Sequence, residues 1–145
     1  MKKIIQKQLG QLLVDAKLIT PENLEKALII QQEKEELIGR ILVALGVTTE
    51  DAIARALTAQ YGFPYLPLGG YEMDPTVVKI IPESVAKKYE LIAVDRVGNI
   101  LTLAMSNPLN TKAVEEIEVI THCKIQCFVS TSTDVSEAIK KYYNK

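Results

Sequence analysis

Residues 9–31 and 38–60 of this 145-residue chain are one stretch written twice, at a fixed offset of 29 and without a gap. Gly10/Gly39, Leu13/Leu42, Val14/Val43, Thr20/Thr49, Ala27/Ala56, Leu28/Leu57 and Gln31/Gln60 are identical pairs. Leu9/Ile38, Leu12/Ile41, Leu18/Val47, Leu24/Ile53 and Lys26/Arg55 keep the same chemical character. Self-similarity at a period of roughly 20–50 residues marks a repeated supersecondary unit. With two copies it is a duplicated module, not a solenoid.

Each copy reads as a helical hairpin. Leu9, Leu12, Leu13 and Ala16 recur at helical spacing, as do Ile38, Ile41, Leu42 and Leu45. The first helix stops at Lys17 in one copy and at Gly46 in the other, a C′ position where glycine avoids the left-handed penalty. Thr20 then caps a second helix, with Pro21 at its first position and Glu22 favourable to the dipole. Thr49, Glu50 and Asp51 repeat that arrangement. Leu24, Ala27, Leu28 and Gln31 continue on one stripe, matched by Ile53, Ala56, Leu57 and Gln60.

Gly10 and Gly39 lie inside or at the start of helical patterns, where glycine costs about 1 kcal/mol relative to alanine. A repeated cost implies close backbone approach, by a neighbouring helix or by a ligand. Gln31 and Gln60 end apolar stripes with an amide that serves as a cap, a helix cross-link or a ligand contact. Packing and binding both account for these four residues at this level.

The period changes after Tyr61-Gly62-Phe63-Pro64. Tyr65–Leu68 reads as extended and Gly69-Gly70 as a loop. Short helices follow from Asp74-Pro75 and from Pro82. Strands at 91–95 and 100–105 join through Gly98-Asn99. Asn110-Thr111 caps a helix, 124–129 is a third strand, and Ser132 or Thr133 opens a last helix. The expected fold class is α+β: an N-terminal four-helix pair of hairpins over 1–62, and a C-terminal small mixed sheet with helices over 63–145.

Composition narrows the function. Lys and Arg number 17 against 18 Asp and Glu, so a phosphate backbone finds no basic excess. Cys123 and Cys127 are too few for a secreted disulfide scaffold, and His122 is the single histidine, so no zinc set is complete. The two thiols read as buried or half-buried. Adjacent His122 and Cys123 diverge and make no nucleophile pair. Gly69-Gly70 lacks the Lys-Ser or Lys-Thr of a phosphate loop. Glu33 to Glu36 read as a solvated linker between the hairpins. No run approaches the ~18 apolar residues of a membrane span. The expectation is a non-enzymatic cytoplasmic chain with no catalytic residues, no metal and no resident cofactor.

The doubled Leu-Gly-x-x-Leu and Leu-x-x-x-Leu-x-x-Gln pattern resembles the N-terminal domain of the ATPases that drive type II secretion and type IV pilus assembly. Tyr61-Gly62-x-Pro64, Ile81-Pro82 followed by Ala86-Lys87-Lys88, Leu103-Ala104-Met105 before Asn107-Pro108, and Ala138-Ile139-x-x-Tyr142 extend the resemblance over about residues 8–143. In one branch of that family the tandem motifs bind cyclic di-GMP, each holding half of the ligand. The resemblance implies contacts from Gln8, Leu9, Gly10, Leu13, Leu24, Leu28 and Gln31 in the first copy. It implies Ile38, Gly39, Arg40, Leu42, Ile53, Leu57 and Gln60 in the second, and Asn107 from the α+β half.

The binding branch begins each motif with Arg, which pairs with guanine O6 and N7 through two hydrogen bonds. Those positions here are Gln8 and Leu37. The first-motif glycine is Lys17, and an Asp common before proline is Asn107. Arg40, one helical turn beyond Leu37, is the candidate substitute. Two such contacts at ~1–3 kcal/mol each amount to orders of magnitude in affinity. The resemblance therefore implies a non-catalytic adaptor or regulatory domain of a secretion or pilus machine, acting through protein docking. The alternative is a cyclic-di-GMP receptor holding the dinucleotide across both motifs. The expected partner is an assembly or regulatory protein that recruits the chain to the inner membrane; DNA, RNA and direct membrane insertion are not expected. The chain ends at Asn144-Lys145 with no Walker motif and so reads as a stand-alone version.

Overall fold

The computed structural model describes the backbone of residues 2–144 and the side chains of residues 9–144. Four helices come first: α1 (Lys2–Asp15), α2 (Pro21–Lys34), α3 (Ile38–Ala44) and α4 (Glu50–Tyr61). Two short ones, α5 (Pro75–Val78) and α6 (Glu83–Tyr89), lead into β1 (Leu91–Val97) and β2 (Ile100–Met105). Then follow α7 (Thr111–Thr121), β3 (Lys124–Val129) and α8 (Ser132–Tyr143). The fold is mixed α+β.

The duplication reappears bond for bond. Thr20 Oγ1 accepts from the Asn23 N–H and Thr49 Oγ1 from the Ala52 N–H, each at 3.1 Å, so two of the orphan donors of α2 and α4 are satisfied identically. The first helix of each copy closes with the same wide turn: Leu18 N–H reaches the Leu13 carbonyl at 2.9 Å, and Val47 N–H the Leu42 carbonyl at 3.3 Å. The turn residue is left-handed in both, with φ of 62° at Lys17 and 76° at Gly46. Glycine adopts that conformation freely, whereas a lysine there is strained by about 1–2 kcal/mol.

Leu9 and Leu13 of α1, Ile38 and Leu42 of α3 and Leu57 of α4 are fully buried together. Leu109 and Val129, from the second half of the chain, complete that core. A second core forms around Ile81, Leu91, Ile92, Leu101, Leu103, Met105 and Ile117.

The sheet has the order β1-β2-β3. β1 pairs antiparallel with β2, and pairing continues to Val97↔Ile100 at the turn, which carries β1 two residues past the expected end. A register shift between Ala93 and Asp95 marks a bulge, after which β1 turns from buried to exposed. β2 pairs parallel with β3, the return being made by α7. Asn110 caps α7 by accepting from the Ala113 N–H at 3.2 Å, and Thr131 caps α8 by accepting from the Asp134 N–H at 3.2 Å. The end of β3 is covered by Pro64–Leu66: Leu66 N–H donates to the Val129 carbonyl and Val129 N–H to the Pro64 carbonyl, both at 2.8 Å.

Candidate functional site

A cavity of about 300 Å³ opens where the second helical copy meets the α+β half. Ile38, Gly39 and Arg40 of the first turn of α3 line it, with Glu50 and Ile53 of α4 and Leu9 of α1. The other wall comes from Tyr89 and Glu90 at the end of α6, Ser106, Asn107 and Asn110 between β2 and α7, and Ser132 and Thr133 at the start of α8.

Glu90 sits just past α6 in a left-handed conformation (φ 55°) that glycine adopts more cheaply. Its side chain is 3% exposed. Arg40 Nη1 donates to its Oε2 at 3.0 Å. Arg40 Nε lies 3.5 Å from Glu36 Oε1, so one half-exposed guanidinium serves two carboxylates. Among the described residues, Glu90 Oε1 has no protein donor. That oxygen is not among the sealed, unpartnered atoms, so it faces the cavity.

Glu50 is committed elsewhere. Its Oε1 accepts from the Thr133 N–H at 3.0 Å and its Oε2 from the Thr133 hydroxyl at 2.7 Å, which places a negative charge at the N-terminus of α8. Asn107 Oδ1 accepts from the Leu109 N–H at 3.1 Å and Asn110 Oδ1 from the Ala113 N–H. Among the described residues both Nδ2 groups are left without a protein acceptor. Leu9, Ile38 and Ile53 supply an apolar bed. Among the described residues the lining thus carries three carboxylates, Glu36, Glu50 and Glu90, against one guanidinium.

The two repeated glycines do different jobs. A Cβ at position 10 would collide with Leu24 Cδ1 and stand 3.3 Å from Leu24 Cγ, so the leucine of α2 lies directly on the α1 backbone. A Cβ at position 39 would meet Ile53 Cδ1 at 3.6 Å and Leu9 Cδ2 at 3.8 Å, ordinary contact distances. Packing requires Gly10. It does not require Gly39, and the space above Gly39 is cavity.

Of the anticipated contacts, the structure brings Leu9, Ile38, Gly39, Arg40, Ile53 and Asn107 to the cavity. Gly10, Leu13, Leu24, Leu42 and Leu57 are buried in the helical half and do not line it, and Leu28 packs half-buried at that core's edge. Gln31 Nε2 donates to the Glu36 carbonyl at 2.8 Å and braces the loop between α2 and α3. Gln60 is exposed on α4. Gln8 lies outside the residues whose side chains are described. Glu36, expected in a solvated linker, is exposed yet lines the cavity and pairs with Arg40. Its i,i+4 spacing to Arg40 was the available signal.

Glu90, Glu50, Ser132 and Thr133 were not anticipated. Glu90 carried a local clue: an acidic residue at a helix C-terminus opposes the dipole. Elsewhere, His122 is an exposed left-handed cap of α7 beside buried Cys123. Burial pushes the Cys127 thiol up to about 11, with Glu118 adding to the effect. Among the described residues no helix is long and apolar enough to cross a membrane.

Residues 61–145 match the MshEN domain. The chain is 35% identical over 136 residues to the type IV pilus assembly ATPase PilB of Myxococcus xanthus, covering 94% of this chain and 24% of that protein. It is 32% identical over 139 residues to PilB of Thermus thermophilus, covering 94% and 16%. The chain thus spans about a quarter or less of these relatives. Among solved structures it superimposes on MshE with cyclic di-GMP (cdg) at a TM-score of 0.69 and 26% identity, covering 93% of this chain and 98% of that one. The N-terminal domain of XpsE shares the fold at a TM-score of 0.75 and 17% identity, covering 95% of each.

Proposed function

The chain belongs to the MshEN family, the N-terminal domain of type IV pilus and type II secretion ATPases, and on that premise we propose that it is a non-catalytic docking adaptor of such a machine. The observation that carries this reading is the acidic lining of the cavity. Among the described residues its one guanidinium, Arg40, is held by Glu90 and Glu36, and a third carboxylate, Glu50, also lines it. A doubly anionic dinucleotide would enter a site of its own sign, without the motif arginines that Gln8 and Leu37 replace. At about 300 Å³ the cavity is also at the small end of small-molecule sites.

The second reading is a cyclic-di-GMP receptor. It draws on the likeness to MshE with cyclic di-GMP and on the seating of Ile38-Gly39 at the cavity. In this reading the filled space over Gly10 leaves one motif copy to hold the ligand. The adaptor would work on the cytoplasmic side of the inner membrane, brought there by its partner, with residues 1–62 and 63–145 as its two subdomains.

Titration calorimetry with cyclic di-GMP separates the readings. The adaptor should give no saturable heat at high micromolar ligand, while a tagged chain should retain pilus or secretion assembly components from a piliated or secreting bacterium. Micromolar binding that is lost on Gly39→Val would overturn docking in favour of the receptor.

A further inference from the structure

Resting on the docking reading, we propose that this cavity is a socket for one cationic side chain, Arg or Lys, carried on an extended segment of a partner protein. Glu90 is the centre of the socket. Its carboxylate is almost wholly removed from solvent, Arg40 takes one oxygen, and the other has no protein donor among the described residues. That second oxygen is not among the sealed, unpartnered atoms, so it is reached from the cavity, and a carboxylate oxygen presented in this way suits a charged N–H donor. Glu36 lies on the other side of the same guanidinium, and Glu50 lines the opposite wall. Among the described residues the excess of negative charge is therefore complementary to a cation.

The rest of the lining fits the chain that would carry that cation. The apolar surface of Leu9 and Ile53 matches the aliphatic stem of arginine or lysine, which buries its methylenes readily. The Nδ2 groups of Asn107 and Asn110, whose carbonyl oxygens are used in the turn and cap of α7, remain as donors for peptide carbonyls. Among the described residues a free anion would face three carboxylates and one guanidinium already held by two of them. The same geometry explains why a carboxylate stands at residue 90, where the left-handed backbone would prefer glycine.

The test uses the 15N-labelled chain titrated with N-acetyl-arginine methylamide and with its neutral isostere, the citrulline analogue. The arginine probe should shift the amide signals of Gly39, Glu90 and Ser132, and the citrulline probe should bind about tenfold or more weakly, the loss of one charge-assisted contact. Glu90→Gln should erase that preference while leaving the remaining spectrum in place. Glu36→Gln, at an exposed position, should reduce it and serves as the second variant should Glu90→Gln perturb folding. Equal binding of the two probes, no response to the arginine probe up to its solubility limit, or displacement of that probe by cyclic di-GMP would overturn the socket. The docking reading fails separately. If the tagged Glu90→Gln chain keeps its assembly partner, docking stands and the socket falls; if the unaltered chain captures none, docking itself falls.

Discussion

Substituting alanine at the two repeated glycines should move stability in opposite directions. Alanine for glycine in a helix gains about 0.4–1 kcal/mol, much of it by restricting the unfolded chain. At position 39 the new methyl finds Ile53 and Leu9 at contact distance, so Gly39→Ala should keep most of that gain. At position 10 it meets Leu24 at Cδ1, Cδ2 and Cγ at once, so moving one methyl does not relieve the clash. Leu24 is buried, and overpacking of this kind costs roughly 1–3 kcal/mol. Gly10→Ala should therefore lose about 1–2 kcal/mol net, or roughly 2–8 °C in melting temperature for a chain of this size. Urea denaturation at constant m-value is the assay. A cycle with Leu24→Ala isolates the clash: in that background Gly10→Ala should become stabilising, giving a coupling of about 1–3 kcal/mol. If Gly10→Ala stabilises the unaltered chain as much as Gly39→Ala does, the packing account of Gly10 is refuted.

Lys17→Gly should stabilise by about 0.5–1 kcal/mol, since it relieves the left-handed strain at φ 62° at some cost in unfolded-chain entropy; no change in the urea midpoint would contradict this. Glu50→Gln keeps the shape but removes the charge that holds α8, so the Thr133 amide should exchange with solvent several-fold faster, with a loss near 1 kcal/mol. Alkaline pH should destabilise the fold. The folded Cys127 thiol titrates at about 11, above the ordinary value of 9.0, and the folded Tyr143 phenol at about 12, above 10.0, burial being the first cause of both. The unfolded chain releases those protons first, so stability is intact below pH 9 and falls as pH rises towards about 12. A pH series of urea midpoints that stays flat through that window would refute the assignment.

The repeat was legible because its signals are local. A threonine cap acts three residues ahead, and the turn at Lys17 and Gly46 closes within six residues, so both recur wherever the pattern recurs. The strands around Gly98-Asn99 were readable for the same reason. The cavity was not, because its far wall comes from Glu90, Ser106, Asn110 and Thr133, residues that meet α3 only through long-range packing. Nor could the sequence distinguish the two glycines. That Leu24 fills the space over Gly10 while Ile53 leaves room over Gly39 depends on side-chain position in the folded core.

Val129 belongs to two structures at once. It ends β3, exchanges hydrogen bonds with Pro64 and Leu66, and buries its side chain among the helices of the duplicated half. Withdrawing it would expose one apolar side chain and break two backbone bonds, about 4 kcal/mol in all. Parting the halves would also break the Arg40–Glu90 and Glu50–Thr133 contacts and uncover Leu109, so fewer than about one molecule in a thousand is hinged open at any moment. An occupant of the cavity therefore enters by the mouth already present, and its association rate carries no waiting time for the halves to part. A pull applied by a partner to either half is carried to the other through a stiff joint.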